Sequence, residues 1–143
     1  MPAKLRLMRF ALILWVVLSV ASVRAADLAV VVHPESGVDS MSREEVSHLF
    51  LGRIKQLPSG VPAAVIDNAP RRDAFYRALV GRGVAEIDAY WARLRFSGRT
   101  QPPLRAEDAF AVLERVARDR SAIGYVDVTQ LDSRVKMVLR LDD

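Results

Sequence analysis

Five consecutive apolar positions, Leu28-Ala29-Val30-Val31-Val32, leave no polar face, the pattern of a strand covered on both sides. His33-Pro34-Glu35-Ser36-Gly37 ends that run. Ser42, with Glu45 three residues on, has capping-box spacing, and Met41 can staple onto Val46. A helix is therefore predicted from about Ser42 to Leu51, with Gly52 as its left-handed stop. Pro58-Ser59-Gly60 marks a turn, and Val61 to Ile66 reads as a second strand. Pro70 stands near the start of a second helix, whose Phe75 and Leu79 form an apolar stripe ending at Gly81 and Gly83. Ile87, Tyr90, Trp91 and Leu94 recur at i, i+3, i+4, i+7, which predicts a third helix. Ser97 to Pro103 reads as a rigid loop. Ala106 to Arg118 reads as a fourth helix with Phe110, Leu113 and Val116 or Ala117 inward. Ala122–Val126 and Arg134–Leu141 read as two closing strands. Strands interleaved with helices predict one layered α/β domain with a mixed sheet. No internal repeat, linker or low-complexity segment interrupts it.

A different pattern precedes this domain. Lys4, Arg6 and Arg9 stand ahead of an almost unbroken apolar stretch, Phe10 to Val20, closed by Val23-Arg24-Ala25. That order is the layout of a secretory signal peptide cleaved near Ala25. The competing reading is a retained anchor, but the stretch falls short of the roughly 20 residues needed to span hydrocarbon. The expected division is thus 1–25 signal peptide and 26–143 mature domain, with a periplasmic location.

Export changes the charge argument. The full chain has 21 basic and 17 acidic residues; the four basic residues of the signal leave 17 of each. The basic balance therefore belongs to the leader and gives no support to a nucleic-acid partner. With no cysteine there is no disulfide framework, thiolate metal site or lipidated anchor. His33 and His48 lie near Glu35 and Glu44 without any ligand-spacing motif, so neither metal nor cofactor is expected. Trp91, Arg93, Arg95, Phe96 and Arg99 interleave rings and cations as some single-strand binders do. The helical spacing of Trp91 and the export signal argue against that reading. No nucleophile–base–acid set appears, and the chain is not expected to be an enzyme.

Leu49-Phe50-Leu51-Gly52-Arg53-Ile54, Phe75-Tyr76 and Ala122-Ile123-Gly124-Tyr125-Val126 resemble, in order and spacing, the phosphate-binding component of bacterial ABC uptake systems, a type II periplasmic binding protein. Tyr90-Trp91-Ala92-Arg93-Leu94 followed by Phe96-Ser97-Gly98-Arg99 looks like a short, single-lobe branch of that family. The resemblance implies an α/β fold equal to one lobe, a mixed β-sheet flanked by helices. It also implies phosphate or a related oxyanion as ligand and a transporter permease as partner. In the full-length family a Ser-Gly-Thr triplet opens the helix after the second strand and holds the anion. The corresponding stretch here, Asp67 to Asp73, lacks the triplet, and Pro70 removes one N–H donor.

What remains at that position is Asn68 as a candidate N-cap, with Arg71 and Arg72 as two adjacent guanidinium forks able to hold an oxyanion bidentately. Asp67 would repel an anion unless paired, and both arginines have nearby acids as alternative partners. Ser97 and Arg99, on either side of Gly98, whose backbone freedom suits close approach to an oxyanion, complete the candidate anion site. Micromolar affinity needs about 8 kcal/mol, whereas exposed ion pairs give about 0–1 kcal/mol each. A one-lobed site is therefore expected to need a second wall, from a homodimer or another protein. The rival function is a non-binding envelope adaptor that keeps the lobe as a scaffold for protein contacts.

Overall fold

The computed structural model describes residues 26–98 and 100–142. Residues 1–25, where a signal peptide is expected, lie outside them, as do Arg99 and Asp143. In chain order the elements are β1 (Leu28–Val32), α1 (Arg43–Phe50), β2 (Ala64–Asn68), a 3-10 turn (Ala69–Arg71), α2 (Arg72–Val80), α3 (Val84–Ser97), β3 (Leu104–Ala106), α4 (Ala109–Arg118), β4 (Ala122–Asp127), a second 3-10 turn (Val128–Gln130) and β5 (Lys136–Leu141). They form one five-stranded sheet in the order β3-β2-β4-β1-β5. β2 runs parallel to both β3 and β4, while β1 runs antiparallel to β4 and β5. Among the described residues no helix is long and apolar enough to cross a membrane.

The unbroken apolar character of β1 follows from its central place. Leu28, Val30 and Val32 face a core shared with α1, α2 and α3, whereas Ala29 and Val31 face a second core under α4. β4 divides in the same way, with Ile123 and Tyr125 toward the three helices and Ala122 and Val126 toward α4. Gly124 lets α4 settle close to the sheet, because a Cβ there would lie 2.7 Å from Val112 Cγ1.

Local signals set the helix ends. Ser42 and Glu45 form both halves of the capping box at α1, and Met41 and Val46 are buried together in one core. Gly52 follows α1 with φ +70°, and a Cβ there would approach Trp91 Cη2 and Thr100 Oγ1 to 2.8 Å. Gly52→Ala therefore combines left-handed strain with a collision against a buried indole. It is expected to lower stability by about 1–3 kcal/mol in chemical denaturation. An unchanged midpoint would show that neither constraint is felt.

Three expectations are corrected. Phe110 was expected inward, yet it is 63% exposed. α4 begins at Ala109 behind the Asp108 cap and buries Val112, Leu113 and Val116. At 100° per residue Phe110 falls roughly 110° from the centre of that stripe. The second strand is displaced toward the C-terminus, to Ala64–Asn68, because Val61 and Pro62 belong to a small hairpin bridged between Gln56 and Pro62. The Ser97–Pro103 loop is shorter than expected, since α3 continues through Ser97 to an αL Gly98. A short edge strand, β3, follows it.

Candidate functional site

β2 and β3 are adjacent and parallel, but the chain leaves them on opposite faces. β2 leads into α2 and α3 over one core, and β3 leads into α4 over the other. In open α/β sheets a crevice opens outside the carboxyl ends of such a strand pair, and ligands gather there. Here a cleft of about 530 Å³ lies at that position. It is lined by Asp67 from the end of β2, Arg72 from the start of α2, Asp88, Trp91 and Arg95 from α3, and Arg105 from β3, with Pro102 and Pro103 at its edge.

The floor of the cleft is a charged network built around Asp67, which is only 2% exposed. Arg72 Nε donates to Asp67 Oδ2 at 3.0 Å, and Arg72 NH2 donates to Asp88 Oδ1 at 2.9 Å. The hydroxyls of Tyr76 and Tyr125 each donate to Asp67 Oδ1 at 3.0 Å. The spacing explains this convergence. Asp67 is the penultimate residue of β2, Arg72 begins the helix five residues on, and Tyr76 lies one helical turn later on the same face. Burial pushes the Asp67 carboxyl above its ordinary pKa, against the opposing pull of Arg72 and the two tyrosine hydroxyls. Burial and the neighbouring Asp67 charge also raise both phenols. They therefore stay protonated and act as donors.

The upper wall differs. Arg95 and Arg105 are exposed, and neither has a hydrogen-bond or ion-pair partner among the described residues. Trp91 is buried, and its Nε1–H finds no acceptor there. Leaving a buried donor unmade costs about 1–3 kcal/mol.

The residues singled out from sequence are dispersed. Arg72 lines the cleft, with its Nε and NH2 engaged by Asp67 and Asp88. Arg71 turns to Asp127, with Nε to Oδ1 at 2.7 Å, and to the carbonyl of Ala26 at 3.0 Å. Asn68 stands at the N-cap of the 3-10 turn without a capping hydrogen bond. Its Nδ2 donates to the Tyr125 carbonyl at 3.2 Å, and its Oδ1 is buried without a partner among the described residues. Ser97 donates its hydroxyl to the Leu94 carbonyl on the exposed end of α3. Arg99 lies outside the described residues.

In the sequence Arg95 and Trp91 stand out only among interleaved rings and cations and, for Trp91, in a helix stripe; nothing local singles out Arg105. The parallel edge pairing of β3, with Arg105 opposite Asp67, is what brings them to one place.

This lobe is shared with solved proteins. The chain matches a candidate phosphate ABC transporter substrate-binding protein from Clostridium perfringens, solved with bound phosphate, at 20% identity and a TM-score of 0.63. That match covers 81% of this chain and 46% of the other. An ABC-type phosphate transport receptor from Vibrio cholerae matches at 18% identity and a TM-score of 0.54, over 79% of this chain and 45% of the other. A candidate phosphate-binding protein from Planctomyces limnophilus matches at 15% identity and a TM-score of 0.58, over 80% and 42%. The fold is therefore that of a periplasmic-binding-protein lobe, and the chain spans less than half the length of these structures. No protein-family profile and no curated protein matches the chain.

Proposed function

We propose that this chain is an exported solute-binding-like lobe that recognises phosphate or a related small oxyanion and works with an ABC transporter in the periplasm. The observation that carries the reading is the cleft beyond β2 and β3. There Arg95 and Arg105, without side-chain partners among the described residues, line one crevice beside Trp91 on a fold shared with proteins described as phosphate binders. In this reading Arg95 and Arg105 meet the anion beside Trp91, while Arg72 is already engaged by Asp67 and Asp88.

The cleft has one wall of exposed arginines, so each contact contributes near the lower end of the range for ion pairs. The expected affinity is weaker than micromolar. A second wall, from another copy of the chain or from the permease, would tighten it. The test is thermal unfolding of the mature protein against phosphate and sulfate at constant ionic strength. At ten times the dissociation constant the stabilisation is about 1.4 kcal/mol, or roughly 3–6 °C in Tm. Arg95→Ala with Arg105→Ala should abolish it. Wild type and variant responding alike to tens of millimolar anion would remove these residues from the site.

A second reading is favoured by one specific observation: Arg72 already holds two carboxylates, one of them buried beneath the cleft. In that reading the lobe is an envelope adaptor that binds no solute and uses its arginine-rich face for protein contacts. The absence of any Tm response to phosphate or sulfate would select it.

A further inference from the structure

We infer that Asp67 is a tethered anion occupying an oxyanion cradle of its own, and that this chain thereby closes its innermost site to any free ligand. Three donors from two different elements converge on one carboxylate: the guanidinium of Arg72 and the hydroxyl of Tyr76 from α2, and the hydroxyl of Tyr125 from β4. Both rings are fully buried, so neither hydroxyl has water as an alternative acceptor. A neutral core position would need none of these donors. The cluster has the composition of an anion site, one cation and two neutral O–H groups, and a covalently attached carboxylate already sits in it.

Tethering decides the competition. An external anion must give up translational and rotational freedom to enter, whereas Asp67 arrives with the fold. Phosphate or sulfate at cellular concentration therefore cannot displace it from Arg72. Removing the carboxylate should reverse this. Asp67→Ala leaves two phenolic hydroxyls and one guanidinium facing a hole one carboxylate wide, and buried donors without acceptors are costly. The class of ligand follows from the size and charge of what is removed: a small planar monoanion such as formate. A tetrahedral dianion is larger than the hole and brings more charge than an Arg72 still paired to Asp88 can balance. This inference does not depend on whether the wild-type cleft takes an oxyanion at Arg95 and Arg105.

The experiment is thermal unfolding of wild type, Asp67→Ala and Asp67→Asn in graded sodium formate, with sodium chloride and sodium sulfate at matched ionic strength. Asp67→Ala should gain about 3 °C or more in 100 mM formate relative to either control salt, on the scale expected for a ligand several-fold above its dissociation constant. Wild type and the shape-preserving Asp67→Asn should gain less than a third of that. The gain should persist when Arg95→Ala is added, whereas a phosphate response of the wild-type cleft would not. If Asp67→Ala does not fold unaided, refolding from urea should recover it in formate and leave it unfolded in chloride. Equal responses of all three proteins, or no formate effect on either the stability or the refolding of Asp67→Ala, would overturn the inference.

Discussion

Arg72→Met is expected to destabilise the folded chain by about 3–5 kcal/mol at neutral pH, because it strands a buried carboxylate whose cation has gone. Methionine keeps much of the aliphatic volume, so lost packing is a small part of the effect. Asp88 is more than half exposed and returns to water at little cost. Asp67 cannot, being buried beneath Tyr76 and Tyr125. The consequence is a specific dependence on pH. Burial already holds the Asp67 carboxyl above its ordinary pKa while Arg72 pulls it down, so the variant pushes it further up.

Between the unfolded carboxyl value, about 3.9, and that raised folded value, the native variant keeps a proton that the unfolded chain has released. Stability then falls as pH rises through the window and levels off above it. Wild type shows the same sign with a smaller slope. Asp39, Asp73, Asp119 and Asp132 are held below their ordinary values, chiefly by hydrogen bonds from Lys136, Arg77, Ser121 and Arg134, and they act in the opposite sense. They are common to both proteins and cancel in the difference. Urea unfolding at pH 4 and pH 7 should therefore show a wild-type-to-variant gap that widens toward pH 7. A gap independent of pH would mean that Asp67 is not the group left uncompensated.

That network also marks where sequence reading succeeds and where it stops. β1 is legible because five apolar residues in a row have one economical explanation, burial on both faces. α1 is legible because Ser42, Glu45, Met41, Val46 and Gly52 each act within a few residues along the chain. The site is not local in this sense. Asp67 reads as a charge hostile to an anion, and nothing in its neighbourhood announces a hydroxyl from Tyr125, 58 positions later. Arg71 and Arg72 look equivalent in sequence. Yet the end of the 3-10 turn sends one to Asp127 and the other beneath the cleft, a difference of side-chain direction that adjacency conceals. β3 escapes for another reason: three residues with Arg105 in the middle have no periodicity to detect, and only pairing with β2 makes them a strand.

The same long-range convergence gives the second large expectation, that Phe75→Ala costs about 3–5 kcal/mol. Phe75 is fully buried, and its ring lies flat on Tyr125 with centroids 3.6 Å apart and planes 5° from parallel. Phe50 meets it edge-on at 4.8 Å, and Tyr76 does so at 5.1 Å. Truncation to alanine removes a ring that α1, α2 and the sheet all contact, and the three aromatic rings left around the hole are large and rigid, poorly able to collapse inward. Phe75→Leu keeps more of the volume and should lose clearly less, with the aromatic pairing contributing about 0.5–1.5 kcal/mol of what remains.

Packing and polarity are linked at this point, since the Tyr125 ring rests on Phe75 while its hydroxyl is held by Asp67. Loosening the stack should therefore weaken the acceptor arrangement as well. Phe75→Ala should show a reduced near-ultraviolet circular dichroism signal from tyrosine at temperatures where the far-ultraviolet signal is still native. Phe75→Leu should retain most of it. If the alanine variant loses stability with its near-ultraviolet signal intact up to the midpoint, the stack supports the core without positioning Tyr125, and the buried carboxylate is held by Arg72 and Tyr76.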